Sequence, residues 1–143
     1  MTEQDKQFLL KDLCARLPYG VKILHEGWNY EYDDELSTIE RVVGIDDKFI
    51  YTKVIDTHNG EEYRDDKWPI DTFDDKLFLR PMSNMTEKEE KEYDVFCIEP
   101  YMGIDEDTAA NFIDWLNSHH FDYRNLIEKG LALPAPEGMY KTE

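Results

Sequence analysis

The chain has 143 residues, with 33 Asp and Glu against 16 Lys and Arg, a formal charge of −17 at pH 7. Such an excess disfavours direct contact with nucleic-acid phosphates or an anionic membrane and favours basic partners or cations. Apolar residues make up 41% and aromatic residues 13%, enough for one packed core and too much for a disordered chain.

Residues 2–17 read as a helix. Thr2, with Asp5 three positions on, forms a loose capping box, and Leu9, Leu10, Leu13, Cys14 and Leu17 recur at helical spacing. Pro18 ends the helix, because the residue before a proline is pushed out of helical geometry. Tyr19-Gly20 then turns the chain. The stretch VKILH, 21–25, predicts a short strand. EGWNYEYDDELS, 26–37, is polar, aromatic and acidic and reads as a long loop. TIERVVGI, 38–45, and FIYTKVID, 49–56, are rich in β-branched and aromatic residues, and Asp46-Asp47-Lys48 between them suits a tight hairpin turn. Asn59-Gly60 supplies the positive φ values of a type I′ turn into a further strand at 61–64. Pro69 breaks the pattern after Trp68, and KLFLRP, 76–81, is a last short strand. This is the element order of SH3-like small barrels. It predicts a small antiparallel β-barrel or strongly bent sheet over residues 20–81.

Beyond residue 82 the pattern is helical. Thr86 with Glu89 is a capping box, the acidic first turns suit a helix N-terminus, and Tyr93, Phe96 and Cys97 form an anchor before Pro100. DEDTAANFIDWLNSHH predicts a second helix capped by Asp105 or Asp107, with Ala109, Phe112, Ile113 and Leu116 on one face. YRNLIEK predicts a short helix that stops at Gly130 in the left-handed C′ position, Leu131 folding back. Residues 134–143 read as an extended or loose tail. The expected fold is therefore α+β, with an N-terminal helix and sheet at 1–81 and C-terminal helices at 82–133 packed on it.

Cys14 and Cys97 read as buried thiols in a reducing compartment, since two lone cysteines without a CxxC make no disulfide scaffold. MTEQDKQ is too polar for a signal peptide, and no apolar run approaches the roughly 20 residues that span a bilayer. The expectation is a cytoplasmic protein.

Three stretches carry a resemblance: LLKDLCARLPYGVK near the start, LRPMS followed by MTEKEEKE in the middle, and IDWLNSHHFDYRNLIEKGLAL with APEGMY at the end. As a set they resemble a family of small acidic proteins from anaerobic gut bacteria and the phages and mobile elements they carry. The region from 24 to 76 matches only in its strand-rich character. The resemblance implies a bacterial or phage cytosolic setting and carries over no site residue.

His119 and His120 are adjacent, and Asp122 lies two residues on. A zinc site needs three or four ligands, often two of them three or four residues apart on one helical face. Adjacent helical side chains diverge by about 100°. The pair therefore reads first as a helix joint, its imidazoles near free carbonyls and Asp122 capping the next turn; His119, His120 and Asp122 are the candidate metal set. Catalysis has less behind it. Cys14 and Cys97 sit among apolar neighbours that keep a thiol inert, no serine stands in GxSxG, and no glycine-rich phosphate loop is present. No catalytic residue and no cofactor is predicted.

Trp28, Tyr30 and Tyr32 lie in GWNYEYDDE, beside the place where SH3-like domains hold their ligand groove, with Trp68 across the barrel. An aromatic, acid-rimmed surface suits a basic or proline-containing peptide. The carboxylate runs at 31–35, 61–75 and 87–94 supply an alternative, an acidic decoy that imitates nucleic-acid phosphates. The first reading is a non-enzymatic protein-binding module with a basic protein partner.

Overall fold

The computed structural model describes residues 2–55, 59–98 and 106–140. Helix α1 spans Glu3–Arg16, and its capping box is complete: Asp5 N–H donates to Thr2 Oγ1, and Thr2 N–H donates to Asp5 Oδ2. Strands β1 (Lys22–Asn29), β2 (Asp34–Ile45), β3 (Phe49–Ile55) and β4 (Glu62–Pro69) follow as an antiparallel meander. Strand β5 (Lys76–Leu79) returns beside β1, helices α2 (Glu87–Ile98) and α3 (Glu106–Ser118) come next, and β6 (Ala132–Pro134) ends the sheet. The strand order is β4-β3-β2-β1-β5-β6, with β5 and β6 parallel.

The α+β class and the β2–β3 hairpin agree with the sequence reading. Asp46 makes that turn by accepting from Lys48 N–H and Phe49 N–H. Other expectations need correction. The sheet is open and mixed, so the SH3-like order is not what forms: β5 joins the meander through β1, and β6, just before the tail, extends that side. Residues 26–37 are not a long loop. They lengthen β1 and β2, pairing Glu26 with Ser37 and Trp28 with Glu35. The strand expected to stop at Arg64 runs on to Pro69, which closes β4 opposite Phe49 and precedes the expected break; that position is open to proline because β4 is an edge strand. The stretch after Asp122 forms turns rather than a helix. Its C-terminal closure is nevertheless the expected one: Gly130 has φ 76°, with Leu131 N–H bonding Leu126 O and Gly130 N–H bonding Ile127 O. The candidate cap Asp105 and the strand-end residue Asp56 lie outside the described residues.

The core lies on the concave face of the sheet. There Leu9 and Leu13 of α1 meet Val21, Ile23, Val42, Ile50, Leu77 and Leu79, with Leu126 and Leu131 closing one side. The buried stripe of α1 is Leu9, Asp12, Leu13 and Arg16. Asp12 and Arg16 pair within it, so polar residues take stripe positions and Cys14 turns outward. Cys97 is exposed as well, and Ile113 is exposed where α3 buries Leu116 and Asn117 instead. Among the described residues no helix is long and apolar enough to cross a membrane.

The tail is not loose as far as Tyr140. That ring is buried, its hydroxyl donates to Phe78 O, and the same oxygen accepts from Lys22 N–H. Tyr140→Phe is expected to lower unfolding free energy by about 1–3 kcal/mol, the cost of leaving buried backbone groups without their partner. Urea denaturation reads this directly, and an unchanged midpoint would mean the tail is not docked in solution.

Candidate functional site

Strands β1 and β2 pair along their whole length, but their neighbours do not follow them. Strand β3 takes up β2 only from Ile39 onward, and β5 takes up β1 only at Ile23 and Leu24. Residues 25–38 therefore leave the sheet as a two-stranded arm whose ladder partners, among the described residues, are only each other. A four-residue loop, 30–33, closes it, with Asp33 in the left-handed region at φ 49°, which Asp tolerates better than most residues. The arm contains Glu26, Glu31, Asp33, Asp34 and Glu35 and no Lys or Arg. Tyr30 is 89% exposed, Tyr32 74% and Trp28 45%.

Trp68 belongs to the arm's root rather than its tip. In a flat sheet β1 and β4, three strands apart, would be separated by about 14 Å. The sheet curls enough for the His25 ring of β1 to stack on Trp68 of β4 at 3.9 Å between centroids and 23° between planes. Trp68 Nε1–H donates to Glu40 Oε1 at 3.0 Å. Glu40 is fully buried and also accepts from Thr52 Oγ1 at 2.6 Å and Thr38 Oγ1 at 2.7 Å. On its other side, His25 Nδ1 lies 2.9 Å from a carboxylate oxygen of Asp75. Burial pushes the Asp75 carboxyl up to about 6, against the opposing pull of His25. With both threonine hydroxyls committed to Glu40, the cluster is arranged to hold rings and strands in place.

The histidine pair sits in a tight joint after α3. His119 Nδ1 meets Glu89 Oε2 of α2 at 2.6 Å, and its ring packs on Trp115. His120 takes φ 62° and stacks on Tyr140 at 3.6 Å. Asp122 accepts from Leu126 N–H and Ile127 N–H, an end cap for the following turn. The three side chains thus serve three separate sets of partners. Among the described residues, no three His, Cys, Asp or Glu gather where they could hold one metal ion. Burial, with the charges of Arg16 and Arg80 nearby, depresses His120 to about 3. Burial pushes Glu89 up, but bonds from Arg80, Thr86 N–H and His119 outweigh it and hold the carboxyl at about 2.

No protein-family model matches the chain, and neither the curated proteins nor the solved structures contain a match to it.

The structure brings Trp28, Tyr30 and Tyr32 together on the arm and places Trp68 at its base. The sequence reading passed over His25, Glu40 and Asp75, which lie far apart along the chain. One signal was available: Glu40 alternates with Val42 and Thr38 in a β-branched strand, so it occupies an inward position.

Two buried groups give opposite pH dependences. His120 falls below its usual 6.5, so its stabilisation is complete above that value and is lost as pH falls toward about 3. Asp75 rises above its usual 3.8, so its contribution is complete below that value and is lost as pH rises through about 6. In urea titrations between about pH 4 and pH 7, His120→Asn, which suits positive φ, should lose less stability than the wild type on acidification. Asp75→Asn should instead gain on the wild type as pH rises. Parallel curves for all three proteins would remove both assignments.

Proposed function

We infer that this chain is a non-enzymatic protein-binding module whose β1–β2 arm docks a cationic segment of a partner protein, in the setting of a bacterial or phage accessory genome. One observation carries the reading. Among the described residues the arm pairs with no other strand, and it combines exposed Trp28, Tyr30 and Tyr32 with five carboxylates and no Lys or Arg in its own sequence. Aromatic rings supply contact area and a face for guanidinium or ammonium groups, and the carboxylates supply the complementary charge.

The decoy alternative has less support. In the 61–75 tract, Glu62 pairs with Arg41, Asp65 with Lys53 and Asp66 with Arg64, so these carboxylates are locally neutralised rather than set out as a bare anionic row.

A fluorescein-labelled arginine-rich peptide, titrated by anisotropy at several salt concentrations, tests the reading. Trp28→Ala, Tyr30→Ala and Tyr32→Ala should each weaken binding by about 1–2 kcal/mol, roughly 5- to 30-fold, with unchanged urea midpoints. Equal binding by the wild type and a triple variant, abolished in both by salt, would assign attraction to overall charge and favour the decoy. No binding by the wild type would remove the docking reading.

A further inference from the structure

We propose that the His25 side chain is the latch that fixes the arm against the body of the sheet. The inference starts from a gap in the backbone pairing. Among the described residues, ladder hydrogen bonds from neighbouring strands end at Leu24 on the β5 side and at Ile39 on the β3 side, and Leu24 and Ile39 pair with each other. His25 and Thr38 are the next pair outward, so they form the first rung of the arm. A two-stranded ribbon is marginal by itself in water. Among the described residues, no ladder hydrogen bond from another strand stops this one from swinging about its first rung.

His25 supplies the missing restraint from both flanks. Its ring lies on Trp68, which comes from β4 on the far side of β2 and β3. Its Nδ1 reaches the Asp75 carboxylate in the segment that enters β5. One imidazole therefore connects the arm to β4 and to the segment before β5, neither of which the arm's backbone pairs with among the described residues. The surfaces it grips are themselves fixed. Trp68 is held by Glu40, and Glu40 is held by Thr52 of β3 and by Thr38, the residue opposite His25. The bonds form a closed circuit: His25 to Trp68 to Glu40 to Thr38, and back across the first rung.

The purpose of the latch rests on the docking reading, since an arm held at one angle loses less freedom on binding. Its test does not. Amide hydrogen exchange on the full chain, without partner, reports the arm's opening directly. His25→Ala should make amides in 26–37 exchange roughly tenfold faster while those of α1 and β3 keep their rates. His25→Phe retains a ring for Trp68 and loses the Asp75 contact, so it should fall between the two; it carries the same comparison if the alanine variant does not fold. Displacement of the Trp68 indole N–H resonance shows that the stack has been altered in each variant. Arm exchange at wild-type rates in a folded variant with that resonance displaced would overturn the latch. A wild type that binds no cationic peptide, with an arm that still loosens on loss of His25, would overturn the docking reading alone.

Discussion

Arg80 is the point through which the two halves of the molecule are joined. It follows the last residue of β5, and its guanidinium makes a two-pronged bond to Glu89 of α2, at 2.7 and 2.6 Å. The same group donates to His119 O and Asn84 O and lies over the Phe121 ring. Its backbone N–H donates to His120 O and its carbonyl accepts from Asp122 N–H, so the joint after α3 is stitched to the sheet as an extra piece of strand. A buried ion pair adds little net stability compared with apolar packing, but loss of one partner strands a charge in low dielectric at a cost of about 3–5 kcal/mol. The pair thus specifies an arrangement more than it strengthens one. The adjacent histidines owe their separate fates to it: His119 is drawn to the Glu89 that Arg80 orients, and His120 is turned by its positive φ onto Tyr140.

A second buried arginine repeats the device from the other side. Arg16 of α1 pairs with Asp12 and donates to Phe121 O, so the joint is gripped by the helix as well as by the sheet. Arg41, Lys53 and Arg64 are paired along the sheet. Much of a small cationic complement is therefore spent on internal or lateral contacts. The arm's own sequence adds five carboxylates and no Lys or Arg. In the docking proposal, charge complementarity with a basic partner comes from where the cations sit as much as from how many carboxylates there are.

Legibility followed range along the chain. Both capping boxes, the Asp46 turn and the Gly130 closure depend on residues within about six positions of one another, and all were readable. The stripe of α1 was half readable. Leu9 and Leu13 fell as expected, but Asp12 and Arg16 fill stripe positions because each neutralises the other, and Cys14 is displaced to the surface. The arm was misread as a loop because a ribbon with both faces in water needs no apolar alternation, and alternation is the signal by which a strand is recognised. The open sheet and the docked tail depend on contacts between β1, β5 and β6 that are separated by 50 residues or more, such as Ile23 with Leu77 and Leu77 with Ala132. Local pattern does not carry such pairings. The same reason hid the site's root, where residues 25, 40, 68 and 75 meet only because the sheet curls.

That curl has a consequence for the arm. Apolar side chains fill the concave face near α1, while Glu40, Thr52, Thr38 and His25 occupy its continuation toward the arm. A polar network buried in this way must be satisfied at every member, because an orphaned group there costs more than a surface contact returns. Glu40 meets that condition with three donors from three strands. The geometry of the curl is thereby set by hydrogen-bond directions, which tolerate less variation than apolar contacts do. A flatter sheet would part Trp68 from Glu40 and from His25 together, and the arm would lose its lateral restraint at the same moment. The stiffness of the arm and the curvature of the sheet are one property, maintained by one buried carboxylate.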